Sequence, residues 1–356
     1  MPSRTSQGGM AFLGRRKLTV GVDVGSGLVK AVVIDHTGGA PIVTRVILAP
    51  IADTAIVDGE ILDYAMVADA IRQALSTTDV RKAHIVGAVG GRDVIVKKIT
   101  LERVKSSQVR ELVRWEAEQH VPFDMDSVDL DFQILDPEAV SPEMQVLLVA
   151  AKRELVLAKQ QLLADAGATP HVIDVDAFAL HNAFAVNHPD AMIGTVALLN
   201  IGNEVTNLNI LEDGVPILTR DLNVGTRPLR EELQRDYGLA VAESDALLRG
   251  TERSPMLDGI VATRADELAI GIERASTFLS TSSRQFTPMR TVYVCGGGAS
   301  VPGLRALLAE RLRLTVVAAN PLARVAMQAG ALQGVSAAEI GPLLMLPVGL
   351  ALRAAA

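Results

Sequence analysis

The stretch Val20-Gly-Val-Asp-Val-Gly-Ser-Gly-Leu-Val-Lys-Ala-Val-Val-Ile-Asp35 decides how the rest of the chain is read. A short apolar strand runs into Asp23, a Gly-rich turn follows, and a second β-branched run begins at Lys30. Apolar runs on both sides of so short a turn predict a β-hairpin. Gly25 and Gly27 open backbone conformations that other residues avoid, and two readings fit them. The turn is either simply tight, or shaped so that a ligand can approach its backbone. In the second reading the exposed amides, the Ser26 hydroxyl and the Lys30 ammonium make a phosphate cradle. Asp23, at the strand end, would then face a divalent cation through water.

Working outward, 356 residues suffice for about two domains. Hydrophobic residues at 49% against 21% charged support packed cores and exclude disorder. Mean hydropathy is positive, +0.29. Even so, the apolar stretch Ile340 to Leu352 carries Pro342 and Pro347 and is 13 residues long, short of the roughly 20 a membrane span needs. Residues 1–17 read as a flexible lead-in. Its Arg15, Arg16 and Lys17 precede an acidic-containing strand, so no secretory signal is expected. These three charges would give a membrane surface about 3 kcal/mol at best, and a solvated tail is the plainer reading. A single cysteine, Cys295, permits no internal disulfide and fits a reducing cytoplasm. Net charge −7 and 3% aromatic residues argue against a nucleic-acid partner.

After the hairpin, Pro41 to Leu48 reads as a strand. Asp63 is expected to cap a helix with Met66, Val67, Ala70, Ile71, Ala74 and Leu75 inward. His84 to Val89 is a buried strand. From Val94 to Ala166 the pattern is β-α-β-β-α, as in a small inserted domain. Its first helix is capped by Ser106 or Ser107 and packs Val109, Leu112, Val113 and Ala117. Its last helix is stopped by Gly167. Val172 to Val175 returns as a strand, Asp176 caps a helix, and the main boundary falls at Asn187 to Asp190.

Ala197-Leu-Leu-Asn-Ile-Gly-Asn-Glu-Val-Thr-Asn-Leu-Asn-Ile-Leu211 then repeats the opening design. Asp23 falls on Asn200, Gly25 on Gly202 and Ser26 on Asn203, at a constant offset (200 − 23 = 177). Asp213-Gly214 turns the chain into another strand, Ile217 to Leu222. Helices follow over Thr226 to Tyr237, Glu243 to Arg249 and Ala265 to Ser280. A third Gly-rich turn, Gly296-Gly-Gly298, follows the strand Thr291 to Cys295. No G-x-x-x-x-G-K-[ST] occurs, which excludes a P-loop. A dinucleotide fingerprint fails because Lys30 holds its sixth position and a strand, not a helix, follows.

Three such loops in this order resemble the actin-like ATPase superfamily. Within it, Trp115-Glu-Ala-Glu-Gln-His-Val-Pro-Phe-Asp124, Leu130 to Leu135 and Val348 to Arg353 resemble the PilM family of type IV pilus assembly proteins, on the FtsA-like branch. The similarity runs from about Lys17 to Arg353. It implies an α/β, actin-like (ribonuclease H-like) duplicated two-domain fold with an FtsA/PilM-type inserted subdomain. Domain I would hold 18–95 and 171–188, the insertion 96–170 and domain II 189–340. Residues 341–356 would pack back on domain I.

The resemblance implies ATP and Mg²⁺ as ligands. Asp23, Gly25, Ser26, Gly27 and Lys30 match the first phosphate motif, with Asp23 toward the metal. Gly202 and Asn203 match the second, and Gly225 and Thr226 lie in the turn after it. Gly296, Gly297 and Gly298 match the adenosine loop, and Glu243 the acid near the ribose. Asp174 lies where relatives place an acid that orients water. Asn200 stands where the second motif usually has Asp, and Leu248 where Lys is frequent. Both departures favour binding over hydrolysis, so weak or no ATPase activity is expected. Trp115 is read as a packing anchor, and the histidines show no metal-ligand spacing.

The implied partner is the N-terminal cytoplasmic peptide of PilN, received beside the insertion, with Val94 to Thr100 and the helix Ser107 to Gln119 as walls. Further pilus inner-membrane components and self-association are also implied. The implied location is cytoplasmic, peripheral to the inner membrane through partners. Two other readings share the fold: a small-molecule kinase and an FtsA-like filament former.

Overall fold

A computed structural model describes residues 18–57, 59–78, 83–250, 254–282 and 286–353. The lead-in 1–17, with its basic trio, and the last three residues lie outside the described residues. The first hairpin pairs β1 (Leu18–Val24) antiparallel with β2 (Leu28–Asp35), and β3 (Ile42–Pro50) continues the meander. A two-rung ribbon, β4 (Ile56–Val57) and β5 (Glu60–Ile61), leads into helix α1 (Tyr64–Leu75). Asp63 caps α1 by accepting the amide of Met66, 2.9 Å away. Met66 itself is exposed, and Ala68 takes its place inside. Strand β6 (Ala83–Val89) lies parallel to β1.

The chain then leaves this sheet. Strands β7 (Val94–Glu102), β8 (Val128–Ile134) and β9 (Glu143–Lys152) form a separate three-stranded antiparallel sheet in the order β7-β9-β8. Helix α2 (Ser106–Ala117) covers it with Val109, Val113 and Ala117. Neither serine caps α2: Ser106 is already helical, and the residue before it is Lys105, without a side-chain cap. Trp115 anchors nothing, because its position on α2 turns it outward and leaves it 61% exposed. Helix α3 (Arg153–Asp165) follows β9 directly, but its buried Leu162 and Leu163 join the core beneath the first sheet, not that of the inserted sheet. Gly167, at φ +83°, ends it.

Strand β10 (Val172–Val175) completes the return, parallel to β6. Helix α4 (Asp176–Asn187) starts at Asp176, so this residue is the first of the helix and not its cap. A second sheet follows from β11 (Thr195–Ile201), β12 (Thr206–Glu212) and β13 (Val215–Leu222). The Asp213-Gly214 turn has φ of 47° and 76°, as a tight hairpin requires. Helices α5 (Arg227–Tyr237), α6 (Val241–Arg249) and α7 (Pro255–Ser282) pack below this sheet. Helix α7 starts ten residues before the apolar pattern suggested (265 − 255 = 10). Strand β14 (Thr291–Cys295), helix α8 (Leu304–Leu312) and strand β15 (Thr315–Ala318) close the sheet. Strand β16 (Ala326–Met327) joins the edge of the first sheet, before helices α9 (Ala337–Ile340) and α10 (Met345–Leu352).

The strand order β3-β2-β1-β6-β10 of the first sheet is the order β13-β12-β11-β14-β15 of the second, with the same directions. Both meanders carry a bulge, at Val33/Ile34 and at Ile210/Leu211, again 177 residues apart (210 − 33 = 177). The duplicated α/β fold is therefore present in register as well as in topology.

Helices α4 and α10 lie between the two sheets and share one apolar core with both. The fit is close. A Cβ on Gly349 would overlap the carbonyl of Ala179 in α4, and one on Gly21 would overlap the carbonyl of Pro347. The Thr19 hydroxyl donates to the Ala351 carbonyl, fastening α10 to β1.

Candidate functional site

The two hairpins present identical tips. The amide of Gly25 donates to the carbonyl of Leu28 at 3.1 Å, and that of Gly202 to Val205 at 3.0 Å. The tips meet across the molecule, where Asn203 Nδ2 donates to Ser26 Oγ at 3.3 Å. The turn through Gly225 supports the second tip: Thr226 and Arg227 give their amides to the carbonyls of Gly202 and Asn203 at 3.1 and 2.7 Å. A Cβ on Gly225 would collide with Asn203 and Glu204 backbone, which explains the glycine.

Behind the tips the repeats differ. Asp23 and Lys30 face each other across β1 and β2 in an ion pair of 2.6 Å, with side chains 11% and 16% exposed. At the equivalent rungs of the second hairpin stand Asn200 and Asn207, with Asn200 Nδ2 donating to Asn207 Oδ1 at 3.0 Å. Asn207 in turn donates to Asp221 on β13 at 2.8 Å, and the Cys295 thiol points at Asn200 Oδ1 from 3.7 Å. Burial pushes the Cys295 thiol up to about 12 and keeps it protonated. Burial also raises the Asp221 carboxyl, against the hydrogen bond from Asn207.

The acid that joins this group is Asp176, not Asp174. Asp174 is buried and ion-paired with Arg353 at 2.6 Å, where it also accepts the amide of Val175. Asp176 lies against Gly90, whose missing Cβ leaves room for the carboxylate. Burial first, and then the Asp23 and Asp221 charges, push it up to about 7 against the opposing pull of Lys159 and Lys30. Lys159, from α3, is lowered by burial while Asp176 and Asp23 counter that shift.

The third loop seats itself on β11. Gly296 has φ +78°, donates its amide to Pro342 at 2.8 Å, and has no room for a side chain beside Ile201 and Asn200. Gly298 is pressed against the Ile201 side chain, whereas a Cβ on Gly297 would make only an ordinary contact with Leu343. The Glu243 carboxylate caps α6 by accepting the amide of Ala240 at 2.8 Å. Leu248 is part of the second lobe's core.

A clasp that the motifs did not announce spans the lobes. Asp53, after β3, pairs with Arg230 at 2.7 Å, and its carbonyl accepts from Arg227 at 3.3 Å. Arg227 also holds Glu204 at 2.5 Å. Ile51 ties this segment to the first tip through the Gly27 carbonyl at 3.1 Å. Sequence reasoning missed Asp53, Arg230, Asp221, Asp176 and Lys159. Lys159 alone left a trace, as a charge at helical spacing from the apolar Leu162, Leu163 and Ala166.

The residues fit a hydrated magnesium nucleotide. Lysines and tip amides suit phosphates, and the acids suit a cation's water shell. Among the described residues no three His, Cys, Asp or Glu converge to ligate a metal directly.

Two facing hairpins, a third Gly-rich loop and two equivalent sheets define an actin-like protein. The chain belongs to the family described as type IV pilus assembly protein PilM, which matches residues 21–355. It is similar to the solved PilM-PilN type IV pilus biogenesis complex at 28% identity, covering 94% of this chain and 98% of that one, TM-score 0.80. Two more distant structures share the fold. Ethanolamine utilization protein EutJ from Carboxydothermus hydrogenoformans is 18% identical over 94% of this chain and 89% of its own, TM-score 0.56. MreB5 of Spiroplasma citri bound to ADP is 13% identical over 94% of each chain, TM-score 0.51. No described helix is long and apolar enough to cross a membrane.

Proposed function

We propose that this chain is an ATP-binding assembly protein of the type IV pilus that receives the N-terminal cytoplasmic peptide of PilN at the inner membrane. The observation that carries the nucleotide part is the meeting of two equivalent hairpin tips, Ser26 against Asn203, over a floor of Asp23, Lys30, Asp176 and Lys159. Gly25, Ser26, Gly27, Lys30, Gly202, Asn203, Gly225 and Thr226 would hold phosphates. Gly296, Gly297 and Gly298 would lie along the adenosine, with Glu243 near the ribose. Asp23 would hold Mg²⁺ through water, and Asp176 takes the role first read onto Asp174. Bound Mg²⁺ would offset the phosphate charge. The amide at Asn200 leaves the second lobe without its carboxylate, which fits holding ATP more than hydrolysing it.

The division into 18–95 with 171–188, 96–170 and 189–340 is part of this proposal, with α3 assigned by its packing to domain I. The PilN site is placed beside the insertion, along β7 and the outer face of α2, where Trp115 offers apolar surface. Closing of the lobes on nucleotide would alter that site. The test is titration of a synthetic PilN N-terminal peptide with and without Mg-ATP. Tight binding of that peptide, changed by nucleotide, is expected; equal binding of a scrambled peptide would sink the assignment.

A further inference from the structure

Helix α3 runs antiparallel to β6, because it hands the chain back to the start of β10, which is parallel to β6. Leu163 of α3 packs on Gly87 of β6, its Cδ1 only 2.6 Å from where a Cβ would stand. Lys159 is one turn earlier on the same face of the helix. That turn, about 5.4 Å, carries its stem toward the C-terminal end of β6, where Asp176 abuts Gly90. The ammonium therefore enters the cleft from its floor, opposite the hairpin tips. There it feels the charges of Asp176 and Asp23, which counter the effect of burial on it. A lysine carried on an otherwise apolar helix face into a site of this kind is costly unless an anion meets it.

We propose that Lys159 contacts the terminal phosphate of a bound nucleoside triphosphate and is the residue by which the cleft separates triphosphate from diphosphate. This rests on the nucleotide reading above and adds its specificity. A chain of phosphates laid from the Gly296 to Gly298 loop past the tips ends at the floor, beside Asp176. The ammonium, a compact charge with three donors, serves that end in a way the neutral tip amides do not. Because α3 follows β9 directly, a phosphate gripped by Lys159 is also joined through one helix to the inserted sheet.

The test titrates the full chain with N-methylanthraniloyl derivatives of ATP and ADP in excess Mg²⁺. Lys159→Met keeps the stem and removes the charge. It is expected to weaken the triphosphate about ten-fold or more while leaving the diphosphate within about two-fold, with Lys159→Arg restoring most of the loss. Equal loss of both, or loss of neither, overturns the proposal. Wild-type protein that binds neither nucleotide overturns the nucleotide reading itself. A second measurement needs no variant. Wild-type protein is acetylated with acetic anhydride in the presence of ATP or ADP, and its lysines are mapped by mass spectrometry. Lys159 is expected to be protected by ATP and not by ADP; equal labelling rejects the role.

Discussion

Asn203 donates its side-chain amide to the hydroxyl of Ser26 across 3.3 Å, and the two residues occupy the same place in hairpins 177 residues apart (203 − 26 = 177). The pseudo-symmetry of the chain thus closes on itself at one hydrogen bond. Ser26→Ala removes it at a cost of about 1 kcal/mol or less. The expected signature is faster amide hydrogen exchange over residues 202–205 as well as 25–28, because each tip braces the other. Exchange that quickens only in the mutated hairpin would show that the tips are independent.

Asp53 and Arg230 join the two lobes beside the same hairpin tips. Asp53 is partly exposed, so the pair contributes less than about 1 kcal/mol to stability. Its effect is expected in kinetics. Arg230→Ala should speed release of a fluorescent ATP derivative several-fold and remove much of the salt dependence of that rate. A release rate unchanged from wild type rules the clasp out as a gate.

Asp176 sets a pH dependence whose sign follows from its raised pKa. An acid raised in the folded state, here to about 7, supports the fold while protonated. Its contribution is whole below about pH 4 and is lost as pH rises through about 7. Asp176→Asn keeps the shape without the charge. The stability of this variant relative to wild type, followed by thermal melts, should therefore climb between pH 5 and pH 8, by at most about 2.7 kcal/mol (about two pH units at about 1.36 kcal/mol each) before allowance for solvent access. A difference that does not vary with pH contradicts this.

Asn200→Asp would restore the carboxylate of the usual second motif, but the local bonds oppose it. Asn200 now donates to Asn207 Oδ1, and a carboxylate there would face an acceptor. A loss of about 1–2 kcal/mol is expected without ligand, with part of it recovered in Mg-ATP. Thermal melts with and without Mg-ATP measure both, and a variant as stable as wild type in each condition refutes the account.

The C-terminal helix is expected to tolerate no bulk at its contact with α4. Gly349→Ala would drive a methyl into the Ala179 carbonyl, backbone against backbone. Destabilisation of about 3 kcal/mol is expected, measured by urea unfolding. Gly39→Ala is an instructive comparison, since no atom lies within reach of its side-chain position and its cost is limited to its positive φ. Equal losses at the two sites would show that crowding is not the cause.

The hairpins, their offset and the Gly-rich loops were legible because each depends on neighbours within a few residues. Strand period, turn chemistry and glycine position are local matters. Asp174 and Asp176 show where that legibility stops. Both are acids around the end of one strand, and which of them lies against Gly90 and which pairs with Arg353 depends on the helix starting at Asp176 and on the absence of a side chain at Gly90. Trp115 shows it again: an aromatic on an amphipathic helix reads as core until the neighbouring sheet is known to be fully covered by Val109, Val113 and Ala117.

By itself, then, the sequence determined the duplicated α/β plan and the Gly-rich turns, since backbone conformation and hydrophobic period are written in adjacent residues, and the resemblance of its motifs pointed to the actin-like family. Only the tertiary structure decided the meeting of Ser26 with Asn203, the Asp53 to Arg230 clasp and the charges on the floor. Those residues come from segments up to 177 positions apart, and nothing local to any one of them records which partner the folded chain brings within reach.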